Sequence, residues 1–404
     1  MQNKGPLEGI RIMDFTWVMA GPRATKALAD MGAEVIRVEG RGRLDTMRQA
    51  GGFVEGKEMV PGGRFKEFNR NKLGISLNMR HSKGLEIAKQ LLRICDVVIE
   101  NFSAGVLERW GFGYEMMKSV KPDIIYVGMA GFGHTGPYQP YVSHGPLLQA
   151  MAGYSYCTGF PGMKPVVMGA YADFIGGASG ALAVLMALEY RQRTGRGQYV
   201  DLSQYQAITA IMGTAVLDYT VNERAADKVG VGNYHQAAAP YGTYRCAGDD
   251  RWCVINVFTE QEWQALCQVM GHPAWAQEPS FATLPERIKH RAELDQRVTE
   301  WTRQHSPEEV MYLLQKAGVP AAVVQNAVDM SKDPHLQARG FWEYDEDPEI
   351  GVMTYEGIPE KVLETPGRVW RPAPLVGQHN NYVYGELLGL SPEVIKQYTE
   401  EGIF

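Results

Sequence analysis

The chain has 404 residues, of which 45% are hydrophobic and 21% charged, and its formal net charge is −6. That length exceeds one ordinary core and points to two domains of a globular protein. The acidic balance lacks the basic footprint of a nucleic-acid partner, and Cys95, Cys157, Cys246, Cys253 and Cys267, scattered and without a CxxC, argue against a disulfide framework or a zinc site.

Met1 to Pro6 carry no apolar core of a signal peptide, and no apolar run is expected to span a membrane, so a reducing cytoplasm is the expected location. Gly9 to Phe15 reads as a first strand. A loop from Thr16 to Gly21 follows, then a helix with Pro22 at its start and Gly32 at its stop. Glu34 to Val38 is a second strand, so residues 9–38 form a βαβ unit. Gly40 to Arg64 reads as a long loop of the kind that is usually functional or mobile. The stretch from Phe68 to Leu77 ends in a strand, Ser82 opens a helix, and Asp96 to Glu100 is the next strand. Two short helices occupy 104–120, broken at Gly111 to Gly113, and Asp123 to Gly128 is another strand. A long apolar helix runs from about Phe174 to Arg193 and stops at Gly195, followed by a short strand at Gln198 to Leu202 and a helix at 204–220. This alternation predicts an α/β fold with a doubly wound parallel sheet, in which ligands sit at the carboxyl ends of the strands.

The character then changes. Asn222 to Asn233 is linker-like. Tyr241 to Arg245 and Trp252 to Val257 flank a turn and predict a hairpin. Two or three helices between Glu260 and Lys316 and a strand at Pro320 to Val324 complete a small α+β domain over residues 225–330. The tail holds strand-like stretches, a helix near Asn381 to Leu388 and another after Ser391.

Asp173, between an extended Pro-bearing segment and the long helix, is the candidate N-cap of that helix. Capping and the macrodipole would keep its carboxylate ionised. It is either a cap alone or a cap and a nucleophile. His144, in Ser143-His144-Gly145-Pro146, is either an acid/base or a polar loop residue. Gly131-Phe132-Gly133-His134-Thr135-Gly136 matches GxGxxG, but prolines follow where a helix should open, so a glycine-rich turn is the better reading. Arg37, Arg41, Arg43, Arg48, Arg70, Lys72, Arg80 and Arg109 lie near loops of the first sheet, where they would face phosphates or solvent. A Walker A motif, HExxH and a GxSxG elbow are absent from the sequence, and its nine histidines show no metal-ligand spacing.

The order of short motifs is more specific than any one of them. Leu7 to Thr16, Ala20-Gly21-Pro22, Leu28 to Glu39, Asn71-Lys72, Glu100-Asn101-Phe102, Leu107 to Gly111, Gly131-Phe132-Gly133, Thr194 to Gln198 and Pro374 to His379 together resemble family III CoA-transferases along essentially the whole chain. The resemblance implies a Rossmann-like large CoA-binding domain made of residues 1–224 and 331–404, the second stretch including a return linker, with the small domain at 225–330. It implies an interlocked dimer, formed either by two copies or with a homologous subunit. It places Asp173 on the family's catalytic aspartate, which carries aspartyl anhydride and aspartyl-CoA thioester intermediates. Val18, Met19, Ala20, Arg41, Leu77, Arg80, Asn101 and Arg109 fall on CoA-contact positions. Tyr171, Gly176 and Gly177 would border the substrate, the glycines by letting it approach the backbone. Acyl-CoA enters as substrate, and no tightly bound cofactor is implied.

Arg80 stands where the oxalate-type enzymes have a lysine, which still suits a phosphate, and two further features depart from relatives. His144 stands where several transferases have a tyrosine, and Gln236 to Tyr241 replaces a glycine-rich lid, so formyl-CoA/oxalate specificity is not expected. The stretch Thr158 to Gly162 and the Tyr171-Ala172-Asp173 run look like transferases acting on succinate, benzylsuccinate and related acids. Tyr154, Tyr156, Phe160 and Tyr171 would accommodate an aromatic or dicarboxylic acceptor or serve as core. The alternatives are an α-methylacyl-CoA racemase using His144 with Asp173, which shares the fold, and a non-catalytic partner subunit.

Overall fold

The computed structural model describes residues 5–49, 62–159, 163–225, 235–349 and 351–404. Part of the Gly40 to Arg64 loop, part of the Asn222 to Asn233 linker and Phe160, Pro161 and Gly162 lie outside the described residues. The chain divides into two compact units, one of Met1–Tyr154, Val167–Thr214 and Leu336–Phe404, the other of Ser155–Val166 and Ala215–His335.

In the first unit six short strands, β1 (Arg11–Asp14), β2 (Glu34–Glu39), β3 (Leu73–Ser76), β4 (Val97–Glu100), β5 (Ile125–Gly128) and β6 (Tyr199–Asp201), form one sheet. All neighbours are parallel and the order is β3-β2-β1-β4-β5-β6. Successive residues of each strand turn to opposite faces. Ile12, Val35, Val97, Ile99 and Val127 pack on Ala24, Leu28, Val184 and Ala187. Met13, Ile36, Val98 and Tyr126 pack on Ile87, Leu91, Tyr384 and Phe404. Burying each large apolar side chain stabilises by roughly 1.5–3 kcal/mol, so a sheet covered on both faces tolerates such short strands.

The first helix, Ala20–Asp30, and the long helix, Tyr171–Thr194, meet along a seam of small residues. A Cβ on Gly177 would lie 2.9 Å from the Ala20 carbonyl oxygen, and one on Gly180 would lie 3.2 Å from Ala24 Cβ. The paired positions advance together, so the two helices start side by side. The long helix is long and apolar enough to cross a membrane, contrary to the expectation that no segment is. Its small residues instead serve the seam, and its Val184 and Ala187 serve the sheet.

The edge of β3 is closed by the C-terminal segment. Gly74 N–H donates to His379 Nδ1 at 3.0 Å, and Ser76 N–H donates to Asn380 Oδ1 at 3.0 Å. A short helix, Gly63–Asn69, ends the region expected to be loop; it buries Phe65 and Phe68, too few apolar positions to show a period. The single helix expected at 204–220 is two, Gln204–Ala210 and Gly213–Asn222.

The second unit has an antiparallel sheet of β7 (Tyr241–Arg245), β8 (Trp252–Asn256) and β9 (Ala321–Val323). Four α-helices between Glu260 and Lys316 cover it, more than expected, because Thr283 and Ser306 each cap a new helix start ahead of a proline. Trp263, Phe281, Ile255 and Leu314 form its own core.

Candidate active site

The sheet order reverses between β1 and β4, and an open α/β sheet leaves a crevice at the carboxyl side of that point. The two flanking loops are tied together there. Asn101, just after β4, accepts from the Trp17 N–H at 2.7 Å and donates to the Trp17 carbonyl at 2.9 Å. Because β3, β2, β1 and β4 are adjacent, the loops after them line one edge. That edge carries Leu77 and Arg80, then Arg41, then Val18, Met19 and Ala20, then Asn101 and Arg109. Arg41, Arg80 and Arg109 are exposed, Val18 is 39% exposed, and Met19, Ala20 and Leu77 are buried.

Arg43 is exposed, with its guanidinium 5.5 Å from the Trp17 ring centroid, while the other expected cations are committed elsewhere. Arg37 and Lys72 have no exposure and Arg70 is 1% exposed, so they face neither phosphate nor solvent. Lys72 Nζ lies 3.1 Å from Asp14 Oδ2, Arg37 Nη2 lies 2.7 Å from Asp45 Oδ2, and Arg70 Nη2 lies 2.7 Å from Asp30 Oδ2. Burial holds the Lys72 ammonium down to about 8, although Asp14 works against it. Burial pushes the Glu39 carboxyl up, but Arg37 and Arg48 outweigh it and bring it to about 2. Arg48 also donates to the Pro374 carbonyl, so it too is held internally. These buried pairs fix the loop bases rather than offer charge to a ligand.

Asp173 is not the N-cap. The long helix begins two residues earlier, at Tyr171, with Ala170 as its N-cap. The Asp173 N–H already bonds the Ala170 carbonyl at 3.0 Å. The carboxylate is therefore released from capping and stands in the first turn, one helical turn before Gly177 and on the same face. Gly177 faces Ala20 and Arg23, so Asp173 lies toward the loop that carries Val18 to Ala20. On its other side is Gly145, where an added Cβ would lie 2.2 Å from Asp173 Oδ2. The cap expected to favour the ionised form is absent. Burial pushes its carboxyl up, while a hydrogen bond from its own N–H and the nearby His144 draw it down without cancelling that rise.

His144 is exposed and is the N-cap of the helix Gly145–Met151. Tyr171 is 38% exposed and stacks on Tyr154, with ring centroids 5.0 Å apart and planes 10° apart. Gly176 and Gly177 are buried, and both face the chain itself: a Cβ on Gly176 would lie 3.1 Å from the Gln204 side chain. The GxGxxG segment is a turn, with Gly133 and Gly136 at φ 83° and 88°. Gly131 leaves room for Ser143 Oγ.

Three residues absent from the sequence expectations shape the site. Gly145 makes space for the Asp173 carboxylate. Gln149, fully buried, donates from Nε2 to the Gly169 carbonyl at 2.9 Å and so holds the chain entering the long helix. Asp45, fully buried, binds the first loop. Only Gly145, beside His144, lay next to a residue the sequence singled out.

The family model described as CoA-transferase family III matches residues 7–380. The chain is 34% identical to the succinyl-CoA–D-citramalate CoA-transferase of Chloroflexus aurantiacus, over 96% of this chain and 95% of that protein. It is 35% identical to the succinyl-CoA:mesaconate CoA-transferase of Haloarcula marismortui, over 95% of this chain and 96% of that protein. Among solved structures, a CAIB/BAIF family protein from Brucella suis superposes with a TM-score of 0.86 at 30% identity, covering 96% of this chain and all of that one.

Proposed function

The chain belongs to CoA-transferase family III, and from that premise we propose that it moves CoA from succinyl-CoA to a dicarboxylic acid through covalent intermediates on Asp173. The observation that supports this most is the placement of the Asp173 carboxylate. It is free of capping duty, half-buried, against Gly145 and one helical turn before the Gly177–Ala20 contact. Its raised pKa makes the ionised carboxylate a better nucleophile than that of an ordinary aspartate.

Asp173 attacks the thioester carbonyl of the donor and expels CoA thiolate, leaving a mixed anhydride. The thiolate attacks the aspartyl carbonyl of that anhydride, releasing the donor acid and forming an aspartyl-CoA thioester. The acceptor carboxylate then attacks this thioester, and the expelled thiolate takes the acceptor's acyl group from the second anhydride, restoring Asp173. The thioester's energy is retained in covalent form throughout. Val18, Met19, Ala20, Leu77 and Asn101 would contact CoA, with Arg41, Arg80 and Arg109 facing its phosphates.

The acceptor reading rests on the similar proteins named above, since citramalate and mesaconate are both dicarboxylic acids. Benzylsuccinate is a bulkier member of that class, and the Tyr154–Tyr171 stack offers it an aromatic wall. The working unit we propose is the interlocked dimer, of two copies or with a homologous subunit. It would cover the helix Gly213–Asn222, which has no buried residue and exposes Val216, Leu217, Tyr219 and Val221.

The test is exchange of CoA from succinyl-CoA onto citramalate, mesaconate and benzylsuccinate, followed by chromatography. Asp173→Ala should lose turnover by a factor of about 10³ or more, as removal of a covalent nucleophile does. Hydroxylamine with succinyl-CoA should convert Asp173 to a hydroxamate visible by mass spectrometry. Turnover surviving in Asp173→Ala removes the nucleophile. Deuterium entering the α-carbon without CoA exchange would mean racemisation through His144 and Asp173.

A further inference from the structure

The loop between β1 and the first helix contains a backbone outlier that the transfer chemistry does not explain. Val18 adopts φ 66°, a left-handed conformation that strains a β-branched residue. Such strain persists only where the surroundings over-determine the backbone. Here Asn101 grips both polar groups of the Trp17 backbone. Arg37 Nη1 donates to the Thr16 carbonyl at 2.7 Å. The Val18 N–H itself donates to Asp45 Oδ2 at 3.1 Å.

Asp45 has no solvent exposure. Its Oδ2 also accepts from Arg37 Nη2 at 2.7 Å, and its Oδ1 accepts from the Met47 N–H at 2.9 Å. The carboxylate is thus held from three sides and is fixed in place before any ligand arrives. The first helix begins two residues after Val18, at Ala20, so the conformation of Val18 decides where Met19 and Ala20 enter the crevice.

We infer that Asp45 is a positioning residue, holding Val18 in the left-handed conformation and thereby setting the wall of the acyl-CoA site. The inference rests on the reading that this loop borders acyl-CoA. It says nothing about bond making at Asp173.

The test is a double-mutant cycle with Val18→Gly, because glycine adopts this conformation without strain and needs no clamp. Asp45→Ala alone should lower kcat/KM for succinyl-CoA about tenfold or more, the effect of one lost buried hydrogen bond with the loop released. The KM for the acid acceptor should hold. In the Val18→Gly background the same substitution should cost little further. Equal losses in both backgrounds would show that Asp45 acts only through Arg37 and would overturn the inference. If Asp45→Ala does not fold, thermal unfolding of two single variants decides: Val18→Gly should melt higher than Val18→Ala, since alanine retains the backbone penalty. Alanine melting as high as glycine would also overturn the inference. Absence of CoA exchange in the unaltered protein would remove the transferase reading alone, because the melting comparison does not depend on turnover.

Discussion

Asp173 combines two conditions that usually exclude each other. A nucleophilic carboxylate must be ionised, yet its reactivity rises as it loses solvation and its pKa climbs. Burial raises it here, and His144 limits the rise. The ionised form reacts, so activity falls as pH drops through the raised pKa, at higher pH than for an ordinary aspartate. His144→Gln removes the charge that draws Asp173 down, so the acid limb of kcat/KM should move to still higher pH while turnover at pH 8 persists. Complete loss at every pH would instead make His144 an acid/base in its own right. Gly145→Ala tests the space around the carboxylate. Its Cβ would lie 2.2 Å from Asp173 Oδ2, so the carboxylate must swing away. A displaced reacting group can cost about 100-fold in rate, and circular dichroism should show an unaltered fold. In an Asp173→Ala background Gly145→Ala should cost nothing more, because no carboxylate remains to displace.

The helix seam carries this geometry from one element to the next. Gly177 lets the long helix come against the Ala20 carbonyl, and that contact lies one helical turn after Asp173. Gly177→Ala brings a Cβ to 2.9 Å from backbone oxygen and 3.0 Å from Arg23 Cβ. Neither neighbour is a free side-chain end, so the helices must part. Overpacking of this kind costs about 1–3 kcal/mol, readable in urea unfolding, and turnover should fall further than stability alone accounts for. An unchanged kcat in Gly177→Ala would mean that Asp173 does not depend on the seam. The same element shows why its start was misread from sequence. Asp is a favoured cap and sits just before an apolar run, but Tyr171 and Ala172 are already helical, with Gly169 at φ 40° making the turn before them. Nothing in the local residue types distinguishes the third helical position from the cap. The glycine pair was misread for a related reason. A run of glycine beside a reactive residue signals close approach, but not whether the approaching group is a substrate or another helix.

At the scale of the molecule, the strands and the wide hairpin were legible because near-continuous apolar runs between glycine and proline breaks are local signals. The parallel sheet followed from their alternation with helices. The ion network under the site was not legible, because Asp14, the Arg37–Asp45 pair and Lys72 come from three separate stretches of sequence, and Arg37 and Lys72 each read singly as facing phosphate or solvent. The closure of β3 was equally hidden, since it joins residues some three hundred apart. Asn380 Oδ1 accepts from Ser76 N–H, and its Nδ2 donates to Ser76 Oγ at 3.0 Å. Removing it strands a buried N–H at an edge that would otherwise invite another strand. Asn380→Ala should therefore cost about 1–3 kcal/mol. Amide exchange locates the loss. The Leu73–Ser76 strand and the C-terminal helices that share its core should exchange faster. The β7–β8 amides should hold their protection, because the second unit has a separate hydrophobic core. Faster exchange spread evenly over both units would mean that the two cores unfold as one.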